Sequence, residues 1–431
     1  MKLVKAIGIA LFATLTFAAI APAEGVPSSS GEHWVSTWAT ALDLAPSVME
    51  VPVVPPGLKM PDFSKLRGTR PKMEVPAKLE NQTIRMIVHT SIGGRRVRIQ
   101  VSNAVGKNAL TIGAAHLGMR NSGSEIVSGS DRELTFNGRP AVKLQPGVIV
   151  VSDPVDLEFK PFSDLAVSLY LPKDTGPPTS HPLGLHKAYI SKGDATADKS
   201  MPNAGETYAY LWLGAVDVVA PADAFAVVAL GDSITDGFST TTDADQAWPS
   251  LLAKRLGDNE GTKNISVLNK GISGNEVLRD GAGVSALARF ERDVLDSAGV
   301  RWVILLEGIN DINIHGQIVA PDALTADDLI FGYRQIIERA HSHGIKVMGA
   351  TITAEEGVWL ATPAGEATRQ RVNEWIRSSR AFDAVVDLDE TTSDPRHRTT
   401  LRAEFDSGDH IHPNDAGNKA MSEAFNLTYF K

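Results

Sequence analysis

The stretch Phe225-Ala-Val-Val-Ala-Leu-Gly231-Asp232-Ser233-Ile-Thr-Asp-Gly237 decides the fold. Phe225 to Leu230 is a continuous apolar run, the pattern of a strand buried on both faces of a parallel sheet, and it ends in a glycine that permits a tight exit. The elements downstream alternate. Helical patterns cover Trp248 to Leu256, Val284 to Leu295, Asp327 to His341, Ala367 to Ile376 and about Asn414 to Phe425. Strand patterns fall between them at Trp302 to Leu306, Lys346 to Ile352 and Ala384 to Leu388. Thr325-Ala-Asp-Asp328 reads as a capping sequence that opens the third of these helices. Such alternation predicts right-handed crossovers and a three-layer α/β/α sandwich over residues 221–431.

Upstream the period changes. From Gln82 to about Pro172, Val97, Ile99 and Val101 alternate with Arg96, Arg98 and Gln100, and Leu165, Val167 and Leu169 alternate with their polar or small neighbours. Period-two runs are half-buried strands, so residues 24–220 are expected to hold an antiparallel β-sandwich of jelly-roll type. Gly93-Gly94 and Asn137-Gly138 read as two-residue hairpin turns. His33 to Thr40 reads as a first strand. Between about residues 42 and 79 prolines recur at 46, 52, 55, 56, 61, 71 and 76, which denies both helix and central strand and predicts an extended loop. Lys2 and Lys5 precede an apolar stretch to Ile20 and a small-x-small end at Ala21-Pro22-Ala23, so residues 1–23 read as an export signal cleaved after Ala23. The stretch is short for a membrane span and runs into a polar Ser-rich segment. The expected product is secreted or periplasmic, without integral membrane association.

Composition narrows the chemistry. The chain has 431 residues, 42 Lys plus Arg against 51 Asp plus Glu, and no cysteine. Two domains fit that length. The acidic balance argues against nucleic acid as a partner. The lack of cysteine removes disulfides, thiolate catalysis and cysteine-ligated metals together.

In open parallel sheets a site lies beyond the carboxyl ends of the strands, and four polar clusters fall there. They are Gly231-Asp232-Ser233, Asn269 to Asn275 around Gly274, Gly308-Ile-Asn310-Asp311, and Asp409-His-Ile-His412 before the last helix. Singly, each is ordinary turn chemistry. Together they supply a hydroxyl nucleophile, a base near neutral pH, a carboxylate three residues before that base, and donors for a tetrahedral oxyanion.

This set resembles the SGNH, or GDSL-type, hydrolases, with GDS at Ser233, the glycine block at Gly274, GxND at Asn310 and DxxH at His412. The resemblance covers roughly half the chain and implies a flavodoxin-like catalytic domain. It also implies that Ser233 is the nucleophile, His412 the general base and Asp409 its orienting carboxylate. The amides of Ser233 and Gly274 and the side chain of Asn310 would form the oxyanion hole, with Asp232 and Asp311 supporting the loops. The ordinary α/β-hydrolase reading fails, because Ser233 lacks the Gly-x-Ser-x-Gly setting. Ser273 is a weaker rival nucleophile. The pairs His410/His412 and His341/His343 lack helical i, i+4 spacing and an evident third ligand, so no metal or other cofactor is expected.

The segments Trp34-Val-Ser-Thr-Trp38-Ala, Ser91 to Arg98 and Val101-Ser-Asn103 are similar to the β-rich region of exported bacterial GDSL esterases. That subgroup is often linked to carbohydrate esters. The expected activity is ester hydrolysis through an acyl-enzyme, on short acyl (acetyl or feruloyl) esters of carbohydrate. A lipase or lysophospholipase is the alternative, and an inactive glycan-binding protein is the alternative of another class.

Overall fold

A computed structural model of the protein describes residues 31–44, 73–314 and 324–431. Residues 1–23, read above as an export signal, and most of the Pro-rich segment lie outside the described residues. His33–Lys431 forms one compact unit; the other, Met1–Glu32, lies outside the described residues except at its last two positions.

The C-terminal part is an all-parallel five-stranded sheet. In spatial order its strands are Ile265–Gly271, Phe225–Gly231, Val300–Leu306, Lys346–Ala350 and Ala384–Val386, so the first strand in sequence lies between the second and the third. This 2-1-3-4-5 order is flavodoxin-like and places a topological switch point beside the end of Phe225–Gly231. All seven residues of that strand are buried, as its unbroken apolar run requires. The helices are α1 (Ser233–Asp236), α2 (Trp248–Gly257), α3 (Ala286–Phe290), α4 (Ala326–Ser342), α5 (Pro363–Ser378), α6 (Leu388–Thr392) and α7 (Asp415–Ala424). The capping sequence at α4 forms as read: Thr325 Oγ1 accepts from Asp328 N, and the Asp328 carboxylate accepts from Thr325 N. The stretch expected as one helix from Val284 is α3 followed by a π-helical turn, Glu291–Leu295.

The N-terminal part is antiparallel. Among the described residues one five-stranded sheet joins Trp34–Ala39, Leu213–Val219 and Gly94–Ser102, with Ile149–Val151 and Val155–Phe159 both on Gly94–Ser102. A seven-stranded sheet centres on Gln82–His89, Asp164–Leu171 and Ala114–Ser122. Asn137-Gly138 makes the expected two-residue turn: Phe136 pairs with Arg139, and the central residues have φ of 55° and 71°, as a type I′ turn demands. Gly93-Gly94 does not. The strands on either side of it belong to different sheets, so the chain crosses between sheets there. What the position requires is closeness of backbone, since a Cβ on Gly93 would lie 2.5 Å from the Phe159 carbonyl oxygen.

One hydrophobic core runs through both parts, from Val35, Ile84 and Val167 to Val228, Phe290 and Phe425. Polar ties cross as well. Ser91 Oγ donates to the Val267 carbonyl at 3.0 Å, and the buried Lys270 Nζ donates to the Thr40 carbonyl at 2.7 Å.

A further tie carries a pH dependence. His186, buried, has Nε2 2.8 Å from Asp245 Oδ1 and Nδ1 3.6 Å from Asp243 Oδ1. Burial alone would lower the imidazole pKa, but the two carboxylates outweigh it and raise it to about 9. A folded-state pKa above the unfolded value contributes stability that is full below the ordinary 6.5 and is lost as pH rises through about 9. The whole effect is worth about 3 kcal/mol at most, because solvent partly screens the two aspartates. Urea unfolding at pH 6 and pH 9.5 is therefore expected to show a loss of stability in the native chain that His186→Gln largely lacks. Parallel losses in both proteins would refute the assignment to His186.

Candidate functional site

The site assembles where strands end. Asp232 caps α1: it has extended backbone, φ −99° and ψ −151°, and its Oδ1 accepts from Ile234 N at 2.9 Å. Ser233 is thereby the first residue of the helix. Gly237, φ 99°, closes the same turn by donating its N–H to the Ser233 carbonyl.

Ser233 Oγ lies 2.8 Å from His412 Nε2, across 179 residues of sequence. His412 Nδ1 lies 2.7 Å from Asp409 Oδ2. The other carboxylate oxygen, Asp409 Oδ1, accepts from the backbone N–H of His412 at 2.9 Å, of Ile411 at 3.2 Å and from Ser407 Oγ at 3.1 Å. Burial would raise the Asp409 pKa, but the hydrogen bond and charge of His412 and these N–H donors outweigh it and hold the carboxyl well below its usual range. An ionised Asp409 only accepts, so Nδ1 carries the ring proton and Nε2 is left free to accept the serine proton. The Phe238 ring packs on the imidazole, with centroids 4.4 Å apart.

The glycine block lies beside α1 because nothing but glycine fits at its start. A Cβ on Gly271 would come within 2.3 Å of Asp236 N and 2.9 Å of the Asp232 carbonyl oxygen. Ile272 N then donates to the Gly231 carbonyl at 3.0 Å, and Gly274 takes φ 83°. Asn310 Nδ2 donates one hydrogen to the Asn275 carbonyl at 3.0 Å, which pins its amide to this turn and leaves a second N–H. Among the described residues no acceptor engages the backbone N–H of Ser233 or of Gly274. The structure thus brings together a hydroxyl, an imidazole and a carboxylate in one hydrogen-bonded chain, next to donors suited to a developing negative charge.

Asp311 accepts from Val277 N at 2.8 Å and Leu278 N at 3.3 Å, so it braces the chain that follows the glycine block. Burial pushes its carboxyl up to about 8. Burial likewise raises Asp232 and the nearby Glu307. Ser273 Oγ donates to Asp236 Oδ2 at 2.7 Å, which gives it a carboxylate partner in place of the imidazole a nucleophile needs. The other histidines of the noted pairs are tied elsewhere: His410 to Asp406 at 2.7 Å, His341 to Asp383 at 2.8 Å, and His343 to the Arg339 carbonyl at 2.9 Å. Among the described residues no group of three metal-ligating side chains converges, and no helix is long and apolar enough to cross a membrane.

Sequence reasoning missed Arg289. Fully buried on α3, it donates to Asn275 Oδ1 (2.9 Å), to the carbonyls of Lys270 (2.8 Å) and Gly231 (3.0 Å), and to Asp293 Oδ2 (3.1 Å). One guanidinium therefore gathers the ends of two strands and the turn that carries Gly274, using the fixed fork of its donors. An arginine in an amphipathic helix reads as solvent-facing, so nothing local marks it.

Residues 229–420 match the family model described as the GDSL-like Lipase/Acylhydrolase family. A comparison with curated proteins finds no match. Among solved structures, similar chains include the acetyl xylan esterase AlAXEase, 21% identical over 46% of this chain and 97% of that one, with a TM-score of 0.37. An aryl esterase from M. smegmatis is 17% identical over 47% of this chain and 96% of its own, TM-score 0.37. A mutant of an acetyl-xylooligosaccharide esterase from Geobacillus is 23% identical over 48% and 94%, also with a TM-score of 0.37.

Proposed function

Residues 229–420 form a domain of the GDSL-like lipase/acylhydrolase family, which makes the chain a carboxylic ester hydrolase, and on that premise we propose that it is an exported serine esterase acting on short acyl esters of carbohydrate. The observation that carries the mechanism is the chain from Ser233 Oγ to His412 Nε2 at 2.8 Å and from His412 Nδ1 to Asp409 at 2.7 Å.

In the reading we put forward, Ser233 Oγ attacks the ester carbonyl carbon while His412 Nε2 takes its proton. The carbonyl oxygen becomes an oxyanion held by the N–H groups of Ser233 and Gly274 and by the second N–H of Asn310. The imidazolium then returns the proton to the leaving alcohol as the C–O bond breaks, which leaves an acyl-serine. Water, deprotonated by His412, attacks that acyl group, and Ser233 recovers its proton as the acid departs. Asp409 stabilises the imidazolium in both halves without itself becoming protonated. No metal or organic cofactor enters any step.

The substrate class rests on three features: the signal-like residues 1–23, the acidic balance of the chain and the β-rich part that accompanies the hydrolase domain. The preferred substrates are acetylated or feruloylated glycans of cell walls, reached outside the cytoplasm after cleavage at Ala23. Purified residues 24–431 should be labelled by a fluorophosphonate and should cleave acetyl and feruloyl glycan esters faster than long-chain lipid esters. A marked preference for long acyl chains would move the protein to the lipase or lysophospholipase class. Failure of the folded protein to label would favour an inactive glycan binder.

A further inference from the structure

The oxyanion turn is held against α1 by a buried carboxylate outside the proposed triad. Asp236 ends α1, one helical turn from Ser233, and is 2% exposed. Its Oδ2 accepts from Ser273 N at 3.0 Å and from Ser273 Oγ at 2.7 Å, directly before Gly274. Its Oδ1 lies 3.0 Å from Nε2 of His181. His181 comes from the β-rich part, at the end of the strand Thr179–His181, and is itself 5% exposed.

The surroundings of the His181 ring specify its charge. Nδ1 faces the Ala41 carbonyl at 2.9 Å, and Nε2 faces the Leu183 carbonyl at 3.1 Å as well as Asp236. Carbonyl and carboxylate oxygens only accept, so both ring nitrogens are satisfied only if both carry protons. The β-rich part therefore inserts an imidazolium beneath the nucleophile helix, stacked on Tyr210 with centroids 6.5 Å apart. Its bonds leave Asp236 one oxygen for the cation and one for the oxyanion turn.

We propose that His181 is a positioning residue for ester hydrolysis: it clamps Asp236, and Asp236 sets the turn Ile272–Asn275 so that the Gly274 N–H meets the oxyanion formed at Ser233. The assignment rests on the reading of Ser233 and Gly274 given above. It gives the β-rich part a role in rate, because donors to an oxyanion act in the transition state and add little to ground-state binding.

The test uses the full mature chain and an aryl acetate. His181→Gln keeps a polar side chain of similar reach but cannot become a cation. It is expected to lower kcat by about 10- to 100-fold with KM within about twofold, since a donor displaced from the oxyanion costs on that order. Ser273→Ala, which removes one of the two bonds to Asp236, is expected to lower kcat about three- to tenfold. His341→Gln, the same change at an exposed histidine paired with Asp383, should leave both constants unchanged. A folded His181→Gln protein with native kcat, or with a change confined to KM, overturns the proposal. If His181→Gln yields no folded protein, Ser273→Ala decides: a lowered kcat supports the clamp and an unchanged kcat overturns it. Retained turnover in Ser233→Ala would instead refute the underlying reading of the site, so the two failures are distinguishable.

Discussion

Replacing Ser233 by alanine is expected to reduce kcat/KM for an aryl acetate by about 10⁵-fold or more, which is the scale of losing the nucleophile of a serine hydrolase. The physical reason lies in how few alternatives surround it. His412 Nε2 has Ser233 Oγ as its partner at 2.8 Å, and the neighbouring Ser273 hydroxyl is already engaged with Asp236. Without the Ser233 oxygen, His412 could at best activate water, with the oxyanion donors still in place, so a small residual rate is expected. Stability should change little. The exchange removes one hydroxyl at a helix N-terminus, and the cap there belongs to Asp232, so the cost is about 1 kcal/mol. Initial rates, fluorophosphonate labelling and a thermal melt on one preparation check all three expectations. Native turnover in a protein that no longer labels would remove Ser233 from the mechanism.

Asp409→Asn is expected to cost about 10⁴-fold in kcat, with KM nearly unchanged. The side chains have the same shape, so the effect isolates the tautomer. Asp409 Oδ1 accepts two backbone N–H groups and the Ser407 hydroxyl. An asparagine must keep its carbonyl oxygen on that side and turn its NH₂ toward His412 Nδ1. That nitrogen then has to accept, the ring proton moves to Nε2, and the atom facing Ser233 at 2.8 Å becomes a donor. Base catalysis is lost although the site stays assembled. The expected signature is slow turnover with native-like folding and weakened fluorophosphonate labelling. A loss of less than about tenfold would show that Asp409 does not set the tautomer.

Much of the site was legible because its chemistry is local. Asp232 caps the helix that presents Ser233, Asp409 reaches back to His412 across three residues, and Gly274 needs its positive φ within its own turn. The strand Phe225–Gly231 before Ser233 announced itself by its unbroken apolar run, and helix α4 by its capping residues. The errors and omissions share one cause. Gly93-Gly94 has the local composition of a hairpin, yet its flanking strands pair with partners far away in sequence. Arg289 reaches Gly231 across 58 residues, and His181 reaches Asp236 across 55. Neither partner bears any local trace of the other.

The order of apolar and polar residues along this chain determined a parallel α/β half preceded by an antiparallel one, together with which side chains emerge at the strand ends. Those properties follow from periodicity, turns and caps, which act over a few residues. Tertiary structure alone decided that Ser233 meets His412 across 179 residues, that the two halves share a core, and that buried His181 of one half meets Asp236 on the Ser233 helix of the other. Hydrogen bonds and ion pairs depend on distance in space, and only the packed core sets which distant groups become neighbours.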